Sequence, residues 1–275
     1  MESVEGRLIY KNNLTEDLAI FRVERADKSE INDFLPGQFV NLGLKLDEKE
    51  ITHRAYSISS SPFEKKYYEF YIKHKEHPTI GKFTTALFKL NIGDLIFLQP
   101  PRGAFTIEDN KSNTNSGSRQ MILVCSGTGL APFMSYIRYL KNMRTEKKII
   151  LLHGVSFPEE LGYREFLENL SLKKNNLGNF IYLPTVSRSN EHLSENWKGN
   201  KGRVESMLSS IDKHESILEK ILGCPVTVDN SFFYLCGYKT MIDYVVSMLS
   251  PLGFIDNRHK REDGSFDIKY ELYGV

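Results

Sequence analysis

The chain has 275 residues, 40% hydrophobic, 12% aromatic and 26% charged, a balance that fits a globular protein and excludes disordered, collagen-like and disulfide-stapled classes. Its 36 Lys and Arg against 35 Asp and Glu leave a net charge of +1, so no global basic field marks nucleic acid as the main partner. Three cysteines, Cys125, Cys224 and Cys236, without a Cys-x-x-Cys pair, exclude a four-thiolate iron-sulfur or zinc site within this chain and fit a reducing cytoplasm.

The opening MESVEGRLIYKNN lacks an apolar run after a basic segment, and no long apolar stretch follows, so neither a signal peptide nor a membrane span is expected. The length favours two domains. Segments rich in Val, Ile, Tyr and Phe come first: Leu18–Val23, Gln38–Leu44, Arg54–Ile58, Tyr67–Ile72 and Leu95–Gln99. Pro36-Gly37, Ser61-Pro62, Gly93-Asp94 and Pro100-Pro101 separate them, which predicts a small antiparallel β-barrel. One helix, Thr84–Leu90, interrupts it. Residues 110–118 hold no apolar side chain and read as a linker between a first domain over 1–109 and a second over 119–275.

After the linker, buried strand and amphipathic helix alternate. Gln120–Val124 precedes Ala131–Leu140, Lys148–His153 precedes Tyr163–Leu170, Asn179–Val186 precedes Val204–Ser210, and Phe232–Cys236 precedes Met241–Leu249. Asp267–Leu272 adds a last strand, while Leu218–Asn230 reads as an insertion without an assigned structure. This alternation predicts a doubly wound parallel α/β sheet. The expected fold class is therefore all-β followed by α/β, with ligands at the strand-to-helix turns.

Three of these segments carry candidate chemistry. The turn Cys125-Ser126-Gly127-Thr128-Gly129-Leu130-Ala131-Pro132 offers two glycines and a helix N-terminus to a pyrophosphate, but it lacks the G-x-G-x-x-G spacing and is equally readable as a plain tight turn. Arg54-Ala55-Tyr56-Ser57 supplies a guanidinium fork for a diphosphate and a phenol that can stack on a flat ring, or else the exposed face of a strand. Gly81-Lys82-Phe83-Thr84 forms a second phosphate-suited helix start with a hydroxyl cap. His74 and His77 read as a solvated turn, since no third metal ligand is apparent. Trp197 reads as an exposed loop residue or a partner contact.

These motifs, followed by Val186-Ser187-Arg188, Gly202-Arg203, Cys236-Gly237 ahead of Met241, and Glu271-Leu272-Tyr273, resemble the ferredoxin-NADP reductase family, particularly its bacterial members, over nearly the whole chain. The resemblance implies an FAD-binding barrel and an NADP-binding domain. Arg54 would grip the FAD diphosphate, with Ala55 beside it, Tyr56 stacked on the isoalloxazine and Ser57 near flavin N5. Tyr71, Ile72 and Lys73 would line the flavin tail, Gly81, Lys82, Phe83 and Thr84 would meet phosphate, and Thr128 would sit between the cofactors. Tyr273 would cover the flavin face where nicotinamide must stack. NADP(H) would take Thr128, Gly129, Gly154, Val155, Ser187, Arg188, Arg203, Cys236, Gly237 and Met241.

The resemblance assigns catalytic positions to Ser57, Cys236, Glu271 and Tyr273, although Cys236 alone also reads as a buried core thiol, and Arg188 and Arg203 as solvated arginines. Two departures stand out. Ser156 occupies the region where several bacterial relatives carry an arginine, and Gly274-Val275 follow Tyr273. The implied function is FAD-mediated electron transfer between NADPH and a separate acidic carrier, ferredoxin or flavodoxin, by a cytoplasmic monomer, with Lys65, Lys66, Lys73 or Lys75 available for steering. The alternatives are an NADH-fed reductase component of an oxygenase system and a non-catalytic flavin- or nucleotide-binding regulatory protein.

Overall fold

The computed structural model describes residues 3–46, 50–74, 81–107, 119–172, 179–209 and 216–273. The linker 110–118, Lys75, His77 and Gly274-Val275 lie outside them. The chain divides into two compact units, Met1–Ile107 with Ala131–Asn142, and Glu108–Leu130 with Met143–Val275.

The first unit holds an antiparallel sheet of β1 (Val4–Asn13), β2 (Leu18–Arg25), β3 (Phe39–Lys45), β4 (Ile51–Ser57), β5 (Tyr67–Lys73) and β6 (Leu95–Leu98), in the order β4-β3-β6-β1-β2-β5. A bridge between Ile58 and Phe70, and the Ser59 N–H donating to Glu69 O at 2.7 Å, join the two ends of that order into a barrel. Alternate residues of the strands point inward: Tyr68, Phe70 and Ile72 of β5 enter the same core as Leu8, Phe21, Val40, Leu42 and Ile96. Helix α1 (Lys82–Lys89) adds Phe83 and Leu87 to this core, one turn apart on its apolar face.

Strand β1 carries no clean alternation in the sequence because a bulge between Leu8 and Tyr10 shifts its register. Helix α2 spans Leu130–Asn142, and its residues from Ala131 onward belong to the barrel unit. There Arg138 donates to Glu69 Oε1 at 2.6 Å and to Ser59 O at 2.8 Å, while Arg22 Nε donates to Glu69 Oε2 at 2.8 Å. Burial raises the Glu69 carboxyl, but Arg138 and Arg22 outweigh it and hold the group below its ordinary range.

The second unit is a parallel sheet of β7 (Gln120–Ser126), β8 (Ile149–Val155), β9 (Phe180–Val186), β10 (Asn200–Lys201), β11 (Ser231–Gly237) and β12 (Ile268–Leu272), ordered β10-β9-β8-β7-β11-β12. Every residue of β8 and β11 is buried, as expected of strands covered on both faces. Helix α3 (Arg164–Leu172) packs on β9, and α5 (Lys239–Leu249) on β11 and β12. The chain runs outward from β7 to β10 and then returns to place β11 on the other side of β7, which creates a topological switch point between β7 and β11.

One sequence expectation needs correction here, and one open segment acquires a structure. Of the helix expected over Val204–Ser210, the described residues 204–209 form only a 3-10 turn, over Val204–Met207. The Ser206 hydroxyl donates to Arg203 O and the Ser209 hydroxyl to Ser206 O, local bonds that compete with a helical backbone. The insertion 218–230 contains part of a helix, α4 (Ile217–Leu222), opened by a Ser216/Glu219 capping box and closed at Gly223, φ 73°.

Candidate cofactor sites

In the barrel unit, the end of β4 presents Arg54 and Ala55 to solvent, Tyr56 half-buried and Ser57 buried. The Arg54 guanidinium donates to His53 O at 2.9 Å. Tyr56 is fixed from two sides, by the Phe83 ring at 6.0 Å between centroids and by a 3.0 Å hydrogen bond between its hydroxyl and Thr84 Oγ1. Burial raises the Tyr56 phenol, so it stays protonated. Thr84 is therefore not the helix cap: the cap is Gly81, which has no side-chain bond, and Thr84 lies in the first turn holding Tyr56.

No acidic residue occurs in that first turn, so α1 offers amides and a positive dipole end to an anion. Together with exposed Arg54 and Lys82, these donors fit a diphosphate such as that of FAD. Tyr71 and Ile72 are buried in β5, and Lys73 pairs with Asp17 at 3.4 Å. Among the proposed steering lysines, Lys65 also pairs, with Asp33, and Lys66 is exposed.

In the sheet unit, the Gly127–Gly129 3-10 turn leaves the carboxyl end of β7. A methyl group on Gly129 would collide with the Cys236 carbonyl oxygen and come within 2.7 Å of its carbon. Gly237 has φ 150°, and a methyl group there would strike Ser126 Oγ and lie 3.0 Å from Met241 Cε. Glycine is thus required on both sides of the switch point by the close approach of two strand ends. The Tyr238 N–H donates to Ser126 Oγ at 3.3 Å. Backbone this close, at a turn that opens a helix N-terminus, fits the diphosphate of a dinucleotide.

The structure gathers Cys236, Glu271 and Tyr273. Cys236 pairs in register with Glu271 of β12, and the Tyr273 N–H donates to Gly237 O at 2.8 Å. Burial pushes the Cys236 thiol well up, Glu271 and Cys125 act in the same direction, and a hydrogen bond with the Tyr273 side chain opposes them. Burial thus keeps the thiol protonated, which disfavours it as a nucleophile. Met241 is 3% exposed and belongs to the apolar core below this edge.

Toward the other end of the sheet, Val186 of β9 pairs with Lys201 of β10, so Arg188 and Arg203 each follow a neighbouring strand end by two residues. Arg203 is held 3.8 Å from Glu205, and Arg188 3.9 Å from Glu191. The Arg188 guanidinium also stands over the Phe157 ring at 5.3 Å. Ser187 donates to Val155 O through both its N–H, at 2.9 Å, and its hydroxyl, at 3.2 Å. Gly154 lies under Val204, whose Cβ would be 2.7 Å from a methyl group placed there. Gly154 thus allows Val204 to pack directly on β8, and the Val155 carbonyl anchors Ser187.

Two residues here escaped the sequence reading. Phe157, adjacent to Ser156, supports Arg188. His153, fully buried in β8, lies 3.2 Å from both Gly127 O and the Tyr182 hydroxyl; its position one strand over from the glycine turn was the available signal. Trp197 is neither an exposed loop residue nor a partner contact site. It is 7% exposed, packs with Val155, Leu161 and Val186, and donates to Asn200 O at 2.8 Å. Its ring packs against the ends of β8 and β9, with the Arg164 guanidinium of α3 over it at 5.0 Å.

An oxidoreductase FAD-binding domain matches residues 5–107, and an oxidoreductase NAD-binding domain matches residues 123–247. Ferredoxin-NADP reductase from Azotobacter vinelandii is 29% identical over 242 residues, 86% of each chain. A component of the Na(+)-translocating NADH-quinone reductase from Marinomonas is 28% identical over 85% of this chain but 52% of its own. A ferredoxin NADP+ reductase from Neisseria gonorrhoeae, crystallised with FAD and NADP, superposes with a TM-score of 0.79, 24% identity and 99% coverage of both chains.

An antiparallel barrel with a phosphate-suited helix start, followed by a parallel sheet with a glycine-lined switch point, defines an FAD-dependent oxidoreductase whose second cofactor is a nicotinamide dinucleotide, NAD(P)H. The chain joins the oxidoreductase FAD-binding and NAD-binding families in one sequence and is similar to ferredoxin-NADP reductases.

Proposed function

We propose that this protein transfers electrons between NADPH and a small one-electron carrier, ferredoxin or flavodoxin, acting as a cytoplasmic monomer. The observation that carries this reading is the clustering of Cys236, Glu271 and Tyr273 at the switch point beside the Gly127–Gly129 turn. FAD, when bound, supplies the exchange between a two-electron donor and one-electron acceptors, so one NADPH reduces two carrier molecules and releases one proton.

The chain's own residues bind and orient. Arg54 and the amides at the start of α1 hold the flavin diphosphate, and Thr84 keeps the Tyr56 ring at a fixed angle for flavin stacking. The neutral Cys236 thiol and Glu271 give the nicotinamide edge polar contacts without competing as nucleophiles. Arg188 and Arg203 are the cations available to a 2'-phosphate, which a free 2'-hydroxyl does not need. Three cysteines fall short of a four-thiolate iron-sulfur set, so a cluster of that kind on the one-electron side lies outside these residues.

The test is steady-state reduction of ferricyanide with NADPH and with NADH, and of cytochrome c through added ferredoxin or flavodoxin. A large NADPH preference that collapses in Arg188→Ala/Arg203→Ala is expected. Equal kcat/KM for the two nucleotides overturns the arginine assignment and favours the NADH-fed reading, which the similarity to the NADH-quinone reductase component supports.

A further inference from the structure

We propose that His153 is a positioning residue for nucleotide binding: it holds the Gly127 carbonyl inward and thereby fixes the Thr128 N–H outward as an anion donor. This rests on the nicotinamide dinucleotide lying at the Gly127–Gly129 turn.

His153 is fully buried in β8, in register with Cys125 of β7. Its Nε2 lies 3.2 Å from Gly127 O. A carbonyl only accepts, so Nε2 carries the proton. Nδ1, 3.2 Å from the Tyr182 hydroxyl, is then the acceptor, and the phenol donates. Burial lowers the His153 pKa to about 4, so at neutral pH the ring is uncharged and this single arrangement of protons satisfies both neighbours. The same Gly127 oxygen also accepts the Leu130 N–H at the start of α2, so its two lone pairs are both engaged.

The consequence for a ligand follows from the peptide bond. In a trans peptide the C=O of one residue and the N–H of the next point in opposite directions. With the Gly127 carbonyl bound by His153 on the sheet side, the Thr128 N–H must face away from the sheet. Local sterics do not impose this orientation, because Gly127 sits at φ 54° with nothing within 4 Å of the place a Cβ would take. A glycine with that freedom can rotate the peptide unit. The buried pair of His153 and Tyr182, together with the Leu130 N–H on the same oxygen, removes the freedom and prepays the ordering that nucleotide binding otherwise requires.

The test compares FAD-loaded wild type, His153→Phe, His153→Gln and Tyr182→Phe by titrating NADP+ against the flavin difference spectrum, with KM and kcat for NADPH in ferricyanide reduction. His153→Phe keeps a flat ring but donates nothing, and is expected to weaken NADP+ by about tenfold and raise KM similarly while kcat stays within about twofold. In His153→Gln the amide nitrogen reaches the place of Nε2, and most of the affinity returns. Tyr182→Phe frees the tautomer and costs about threefold.

Unchanged affinity in His153→Phe, or an equal loss in His153→Gln, overturns the proposal. If His153→Phe does not fold, Tyr182→Phe decides: a loss supports the proposal and wild-type affinity overturns it. A wild type that shows no response to NADP+ overturns the underlying nucleotide reading, and the proposal with it.

Discussion

Replacing Gly129 by alanine tests the geometry of the switch point directly. The added methyl group would meet three backbone atoms of β11: the Cys236 oxygen at an impossible distance, its carbon at 2.7 Å and the Gly237 nitrogen at 3.1 Å. Ordinary contact begins at 3.4 Å, so the turn or the end of β11 must retreat by roughly 0.7 Å or more, and β11 is held there by its ladders to β7 and β12. Overpacking of this kind costs about 1–3 kcal/mol. Gly127→Ala is the control: its methyl group meets nothing within 4 Å, and only the φ of 54° is unfavourable, at about 1–2 kcal/mol. Urea unfolding of the FAD-loaded proteins, paired with NADP+ titration, should give the larger loss of both stability and affinity for Gly129→Ala. A Gly129→Ala protein with wild-type stability and NADP+ affinity refutes the close-approach argument.

Other consequences are equally accessible. Because the Glu69 carboxyl is held below its unfolded value near 4.5, its contribution to stability is present above about pH 4.5 and disappears as pH falls through the lower folded value; thermal melts of Glu69→Gln should lose this part of the acid sensitivity. Arg138→Met leaves that buried carboxylate with one of its two arginines and should cost about 3 kcal/mol in urea unfolding; an unchanged midpoint would contradict the network. His153, folded near pKa 4 against 6.5 unfolded, lets the unfolded chain bind the extra proton, so stability should fall between pH 6.5 and 4 by up to about 3 kcal/mol and fall less in His153→Gln. Buried neutral thiols react poorly: iodoacetamide at pH 8 should label half-exposed Cys224 and spare Cys125 and Cys236, and rapid labelling of Cys236 in the native protein would contradict its placement.

The fold was legible where one rule of periodicity governed a segment. Strands such as Ile149–Val155 and Ser231–Gly237 contain the apolar runs Ile149–Leu152 and Phe232–Cys236, and their alternation with helices points to a parallel sheet. It was less legible where rules compete. The bulge after Leu8 breaks the two-residue alternation that would otherwise reveal β1. Ser206 and Ser209 turn their hydroxyls onto the backbone and shorten an expected helix to one 3-10 turn. The signal for α4 was present in Ser216-x-x-Glu219, a capping box ahead of an apolar run.

For the site, residue types and motif order pointed to Arg54, Tyr56, the glycine turn and the Cys236 edge. What they could not give was the reason for each glycine, since closeness between β7 and β11 is a property of strands about 110 positions apart in the chain. The same holds for the His153–Tyr182 pair, joined across β8 and β9, and for Trp197, whose burial depends on Val155, Leu161 and Val186 arriving from separate segments.

The most direct test of the central claim is the visible spectrum of the purified protein, recorded without oxygen before and after addition of NADPH. The expected result is a flavin spectrum that bleaches with one equivalent of NADPH and recovers on addition of an oxidised carrier. A colourless protein that takes up no added FAD, or a flavin that NADPH leaves oxidised, contradicts it.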